Sequence, residues 1–323
     1  MSESALRAEQ THFRADQAHY VADLEETPLA TTDQVDESTP PGGLWLEAWR
    51  SLRKRPLFIV SSLIILFLIV VALFPDLFAS QDPRHCVLSN SLGGSTSGHP
   101  FGFDLQGCDI YSRVVHGARA SVSVGVLTTT LVVLIGGTIG AVAGFYGGML
   151  DSVLARITDI FFSVPLLLAA ITCMQAFPDK TVVVVALVIA AFGWPQVARI
   201  MRGSVISVRN AEYVTAATAL GASRTKVLLR HVLPNAIPPV IVIATVSLGV
   251  FITLEATLSF LGIGLSPATN ISWGGDINTA QNVLRSNPSV LLYPAAALSI
   301  TVLSFIMLGD AVREALDPKS RKR

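Results

Sequence analysis

The chain has 323 residues, 51% of them hydrophobic and only 14% charged, with 23 basic and 23 acidic side chains and a mean hydropathy of +0.57. Soluble domains carry about 25% charged residues, so the deficit points to a membrane protein rather than a soluble one, and no nucleic-acid partner is expected.

Residues 1–43 are polar and acidic and end in Pro-Pro-Gly-Gly. They hold too little apolar surface to fold alone and lack the apolar core of a secretory signal, so they read as a disordered cytoplasmic tail. In residues 44–56, Leu44, Trp45, Trp49 and Leu52 share one helical face, with cations on the other. This pattern predicts an interfacial helix lying on the membrane. A plain extension of the first span is the alternative.

A bilayer core of about 30 Å needs about 20 mostly apolar residues in a helix. Six runs meet that standard, at about 57–78, 119–145, 153–177, 181–201, 239–262 and 290–310. The fold expected is therefore an all-α integral membrane protein with six transmembrane helices, its membrane domain covering 57–318 and a basic tail at 319–323. Lys and Arg cluster before the first run, between the fourth and fifth, and after the last, while the other connections are poor in them. By the positive-inside rule both termini and the 210–235 connection are cytoplasmic, in a multi-pass protein of the cell membrane.

Within the runs, Pro165 and Pro195 are expected to kink their helices. Gly136, Gly140, Gly144 and Gly148 recur every four residues, with Gly137 and Gly147 widening the face. Such a stripe lets helices approach closely, either within the chain or against another subunit. Asp159 follows Arg156 by three residues and pairs with it on one helical face. Glu255 lies in the fifth run, where a carboxylate seldom faces lipid. It is the candidate for the translocation path, or else for a polar contact inside the bundle.

No span holds a His, and there is no Ser/His pairing, no H-E-x-x-H zinc motif and no G-x-x-x-x-G-K-[ST] loop. The chain is therefore expected to be non-catalytic, without a metal or cofactor of its own. An autonomous secondary transporter or channel and a membrane scaffold are the competing classes. The first leaves "EYVTAATALGASRTKVLLRHVLPN" (residues 212–235), which is short, basic and built of small residues, unexplained, whereas a scaffold would anchor an ATPase there without transporting. The spacing predicts one helix over 212–220, a turn at Gly221, and a second helix over 224–232 with Ser223 as N-cap, ended by Pro234 and Asn235. This is a docking knob.

That stretch resembles the "EAA" loop of permease subunits of ATP-binding-cassette importers. The resemblance implies that Glu212, Tyr213, Thr215, Ala216, Ala217, Gly221, Arg224 and Pro234 couple the chain to an ATPase subunit. Thr215 stands where the family has its Glu, which removes one salt bridge and leaves the docking. "HPFGFDLQGCDIYSRVVHGARASVSVG" (residues 99–125), "EATLSFLGIG" with "SWG", and "LGDAVREALDP" are similar to the dipeptide and oligopeptide permeases of the type I importers, specifically their C component. The likeness runs over about 44–318. It implies a second homologous permease, two ATPase subunits that hold ATP and Mg, and an extracytoplasmic peptide-binding protein that delivers short peptides. Nickel or another small solute is the alternative cargo. Docking of the binding protein is expected on the first loop, at Asp104 and Asp109, and around Trp273 and Gly274. Cys108 stands where the family block has Arg. It and Cys86 fall in a loop assigned to the outside, where disulfides persist, so a Cys86–Cys108 bridge is expected. The alternative is two unrelated thiols too far apart to join.

Overall fold

The computed structural model describes residues 49–316. The expectations placed on 1–48 and 317–323, including the acidic tail and the basic C-terminal tail, lie outside the described residues. Residues 49–52 are helical, and the chain then breaks at Lys54 and Arg55 before the first long helix. This segment is thus not a simple extension of the first span. Leu52 packs on Ala311 and Ala315, and Arg55 pairs with Glu314.

The described chain is helical, with only isolated bridges in the first loop and no strands. Helix α1 (Pro56–Leu73) starts on a proline at its first position, where no backbone donor is needed. Helix α2 (Ile110–Tyr146) is N-capped by Asp109, whose side chain accepts from the Ser112 N–H at 2.8 Å. Helices α3 (Gly148–Ser163) and α4 (Leu166–Met174) follow, then α5 (Val182–Arg209). Helix α6 (Glu212–Ala219) and α7 (Arg224–Val227) form the knob. Helix α8 (Pro238–Phe260), the short α9 (Trp273–Ala280) and α10 (Ser289–Leu316) complete the chain.

Five of these helices are long and apolar enough to cross a membrane, namely α1, α2, α5, α8 and α10. The expected third span is a bent pair, because α3 and α4 meet at 78°. Proline disfavours the helical region in the residue before it, and Val164, ahead of Pro165, is extended with φ −86° and ψ 121°. Pro195, by contrast, lies inside an uninterrupted α5. Asp159 pairs with Arg156 as expected and also has a second partner. Its close partner is Arg199 of α5 at 2.7 Å, whereas Arg156 stands 3.9 Å away. A second pair, Arg202 with Asp151 at 2.7 Å, also ties α3 to α5.

The centre of the bundle is the packing of α2 along α5. Apolar side chains gain little by leaving lipid for one another, so close backbone approach has to supply the attraction. A Cβ added to Gly136 would stand 2.5 Å from the Trp194 carbonyl oxygen, and one on Gly144 would stand 2.7 Å from that of Arg202. Gly140 meets Ala198 and Met201 in the same way. The stripe is therefore an intrachain seam. Gly148 falls outside it, with φ +61° and open space around it. Helix α8 packs on α2 and α10, and α10 on α1, so the outer helices close around this pair.

Gly140→Val is expected to lower the thermal midpoint in detergent sharply, since overpacking a filled core costs about 1–3 kcal/mol or more. Gly137→Ala, whose nearest neighbour is the Met201 methyl at 4.0 Å, should be neutral or slightly stabilising because Ala favours helix by about 1 kcal/mol. Equal losses from both would show that the seam does not depend on glycine.

Candidate functional site

The two ends of the bundle carry different structures. At one end, α5 runs into the knob. Its α6 is anchored by Val214, which is buried beside Val208 and Ala211. The opposite face stands free: Glu212, Tyr213, Thr215, Ala216 and Ala219 are exposed, and Ala217 is half-buried. Leu220, at the tip, is 89% exposed. A large apolar side chain held out so fully beside small ones is the likeness of an anchor awaiting a pocket. Sequence reading passed over Leu220, although a leucine at a helix C-cap before glycine was there to be seen.

Gly221 closes α6. It has φ +85°, and its N–H bonds to the Thr218 carbonyl at 3.0 Å while the Ala222 N–H reaches Ala217 at 3.1 Å. This pair of bonds is the Schellman motif, which favours glycine at that position. The Ser223 side chain then caps α7 by accepting from the Lys226 N–H at 3.4 Å. Arg224, exposed in the first turn of α7, borders a cavity of about 390 Å³ between the knob and the end of α2.

Pro234 does not end the second helix as expected. The helix passes through a π turn at Leu228–Val232 and continues over Leu233–Ala236. Proline lacks an N–H and crowds the carbonyl four residues back, and a widened turn accommodates both defects. Asn235 supports the turn by donating its side-chain amide to the His231 carbonyl at 2.7 Å.

Arg209 is a second residue that sequence reading missed. One guanidinium nitrogen donates to the carbonyls of Gly144 at 3.0 Å and Phe145 at 2.9 Å. Those carbonyls lie at the C-terminus of α2, where helices attract cations. The α5–α6 junction is thereby pinned to the end of α2.

At the other end, residues 78–109 fold back on themselves. A disulfide joins Cys86 to Cys108, with Cα atoms 4.1 Å apart. Backbone bonds run from Val87 to Gly107, from Leu92 to Asp104 and from Phe103 to Gly93. The loop rests on the bundle through Phe101, which stacks on Tyr293 at 4.0 Å. Cys173 remains a free, half-buried thiol.

The structure buries three of the four docking candidates and leaves Asp104 half-buried. Asp109 is 3% exposed and caps α2, with His99 at 3.1 Å. Trp273 is 1% exposed and donates its indole N–H to the Val114 carbonyl at 2.8 Å. Gly274 presses on the Ala256 backbone, where a side chain would not fit. Asp104 accepts from the N–H groups of Gln106 and Cys108. These residues shape the platform from within; its outer surface is offered by others, such as Leu88, which is 76% exposed.

Beneath the loop, Arg113 of α2 grips Asp276 of α9, with Nε 3.0 Å from Oδ1, and Asp104 lies 3.6 Å away. Burial pushes the Asp276 carboxyl above the usual carboxylate range; the Arg113 guanidinium opposes that push and Asp104 adds to it. Glu255 of α8 is fully buried. Its Oε1 accepts from Ser259 at 2.8 Å, and the Ser259 hydroxyl in turn accepts from the Leu265 N–H at 3.1 Å. Ser121 of α2 and Ser272, the N-cap of α9, are the other hydroxyls near the carboxyl. Glu255 thus sits inside the bundle, in contact with Ser259 of its own helix.

The described residues hold no group of three or more His, Cys, Asp or Glu side chains arranged for a metal ion. Fold and site together define a polytopic helical membrane protein with a capped, projecting knob at one end and a disulfide-closed loop at the other. Residues 136–322 match the family of binding-protein-dependent transport system inner membrane components, and residues 43–92 match the N-terminal transmembrane domain of oligopeptide transport permease C. The chain belongs to this family of inner membrane transport components. It is 37% identical over 278 residues to the dipeptide transport system permease protein DppC of Alkalihalophilus pseudofirmus, covering 86% of this chain and 90% of that one. It is 38% identical over 279 residues to the oligopeptide transport system permease protein OppC of Bacillus subtilis, covering 86% and 91%. The glutathione transport system permease protein GsiD of Escherichia coli is 37% identical over 299 residues, covering 92% and 96%. A solved structure of the MetNI methionine ABC transporter, inward facing, shares the fold with a TM-score of 0.52 at 19% identity, over 63% of this chain and 96% of that one.

Two outcomes follow from the buried polar groups. Arg113→Ala should destabilise the protein by about 3–5 kcal/mol, because it leaves a buried carboxylate unpaired, and Arg113→Ala with Asp276→Ala should recover part of that loss. Thermal unfolding of the three proteins in detergent decides it, and a double variant no better than the single one would refute the pairing. Glu255→Gln should keep the Ser259 contact and near-normal stability, whereas Glu255→Ala should lower the thermal midpoint by several degrees; the same measurement serves, with unaltered midpoints in both as the contrary result.

Proposed function

We propose that this chain is the permease subunit of an ATP-driven importer of short peptides. The observation that carries the reading is the match over 86% of the chain to permeases named for dipeptides and oligopeptides. The knob supplies the physical counterpart. On this reading the α6 end and both termini are cytoplasmic, in keeping with the Arg and Lys residues around 199–230. The chain pairs with a second, homologous permease, and the path for cargo runs between them.

An ATPase subunit seats α6, one on each permease. Leu220 enters an apolar pocket, while Ala216 and Ala219 allow the groove to close on the helix backbone. ATP and Mg belong to those subunits, and hydrolysis takes place there. This chain is not itself a catalyst. Its task is to convert the motion of α6 into a motion of the spans, and Val214 together with the Arg209 clamp makes α6 part of the bundle rather than a loose appendage. On the opposite side, an extracytoplasmic binding protein delivers the peptide onto the disulfide-closed loop.

The docking role is tested by Ala216→Glu and Leu220→Ala in the complete complex. Both positions are exposed, so folding should be preserved. Co-purification of the ATPase should fall several-fold with either change, and peptide-stimulated hydrolysis should fall with it. Gly221→Val adds a strained positive φ with no steric clash and should weaken docking by distorting the cap. Full assembly and normal stimulation in all three variants would exclude α6 as the docking element.

A further inference from the structure

A cleft of about 660 Å³ opens at the loop end of the bundle, between the α1–α2 connection, the first turns of α2, the start of α5 and the α8–α9 connection. Its volume falls within the range of about 300–1,000 Å³ typical of small-ligand sites. Four charged residues and a histidine line it, and four of these five are engaged. Asp76 faces His116 at 3.3 Å. Asp82 accepts from the Arg84 backbone N–H at 2.9 Å, and the Arg84 guanidinium donates to the Thr269 carbonyl at 2.7 Å. The fifth, Arg119, is exposed in the cleft and makes no hydrogen bond or ion pair with any described residue.

Arg119 lies nine residues into α2, about 14 Å along the helix at 1.5 Å per residue, where the apolar stretch of α2 begins. A guanidinium there is poorly served by lipid and faces water or an anion instead. Its planar fork of donors matches a carboxylate in two parallel bonds. The cleft floor around it is polar, with Ser80, Ser123 and Asn270. Nothing in the docking of an ATPase or in the disulfide-closed loop uses Arg119.

We propose that Arg119 is a cargo-contacting residue of this permease, receiving the free carboxylate of a short peptide as it enters from the binding protein. The assignment rests on the peptide-importer reading and adds to it the place and the chemical group of first contact. The engaged carboxylates beside it keep the cleft from being a general anion trap.

The test uses the complete importer in vesicles with its binding protein, and two versions of one short peptide, with the C-terminus free or amidated. The quantity read is the ratio of free to amidated uptake, in which the shared steps of ATP hydrolysis and bundle folding cancel. Loss of one charge-assisted contact corresponds to about a tenfold change, so Arg119→Gln should lower that ratio about tenfold, with basal ATP hydrolysis unchanged. Arg119→Lys should restore part of it. Two results overturn the assignment: an unchanged ratio with normal uptake, or an equal fall for both peptides, which would mark Arg119 as structural. Absence of uptake of either peptide by the unaltered importer would instead overturn the peptide reading on which the assignment stands.

Discussion

Close backbone contact between α2 and α5 is the constraint on which the rest of the structure depends. Apolar surface is no incentive for two helices to leave lipid for each other, so their attraction comes from dense packing. Gly136, Gly140 and Gly144 remove the side chains that would hold the backbones apart, and Trp194, Ala198 and Arg202 of α5 fill the space. Once that seam is fixed, positions along α5 are fixed too. Arg199 and Arg202 are presented to Asp159 and Asp151 of α3, and Arg209 arrives at the end of α2.

Charged groups in this bundle follow a consistent rule. Those facing another helix are paired, and the pairs join elements that the seam does not reach. Arg113 and Asp276 fasten α9 to α2, Arg202 and Asp151 fasten α3 to α5, and Arg55 and Glu314 fasten the start of α1 to α10. Of these, Arg113–Asp276 is the buried pair, where a charge left alone is expensive, so it specifies its geometry even if its net contribution to stability is small. Glu255 has no cation beside it: its Oε1 accepts from the Ser259 hydroxyl, while its Oε2 is buried without a hydrogen-bond partner among the described residues.

Much of this was legible in the sequence. Hydropathy pointed to the five long apolar helices, although α2 begins at Ile110 and α5 runs on to Arg209, beyond the expected runs, and the four-residue glycine period marked the seam. The first helix of the knob and its turn could be read from cap and turn chemistry, with Ser223 and Gly221 in their predicted roles, whereas the π turn before Pro234 could not. What could not be read were features set by tertiary contact. The third span was taken as one helix because apolar composition cannot report the angle at Val164–Pro165. Pro195 and Pro165 look alike in sequence, yet only one breaks its helix. Asp109, Trp273 and Gly274 appeared as surface candidates because polarity or aromaticity in a loop suggests exposure, whereas here a cap, an indole hydrogen bond and a tight backbone contact bury them.

The seam also explains how one chain can respond at two distant faces. Helix α2 has 37 residues, about 55 Å at 1.5 Å per residue, well beyond the bilayer core of about 30 Å. Its N-terminus is capped by Asp109 beside the disulfide at Cys108, and its C-terminal carbonyls are held by Arg209, three residues before α6. Along the length between, it is locked to α5, which leads directly into α6. Packed helices move as bodies because a dense interface resists continuous deformation. Arg209 and the seam join α6 to α2, whose N-terminus adjoins the disulfide-closed loop. The broken pair α3–α4 is joined to this unit by two ion pairs and bent at Pro165.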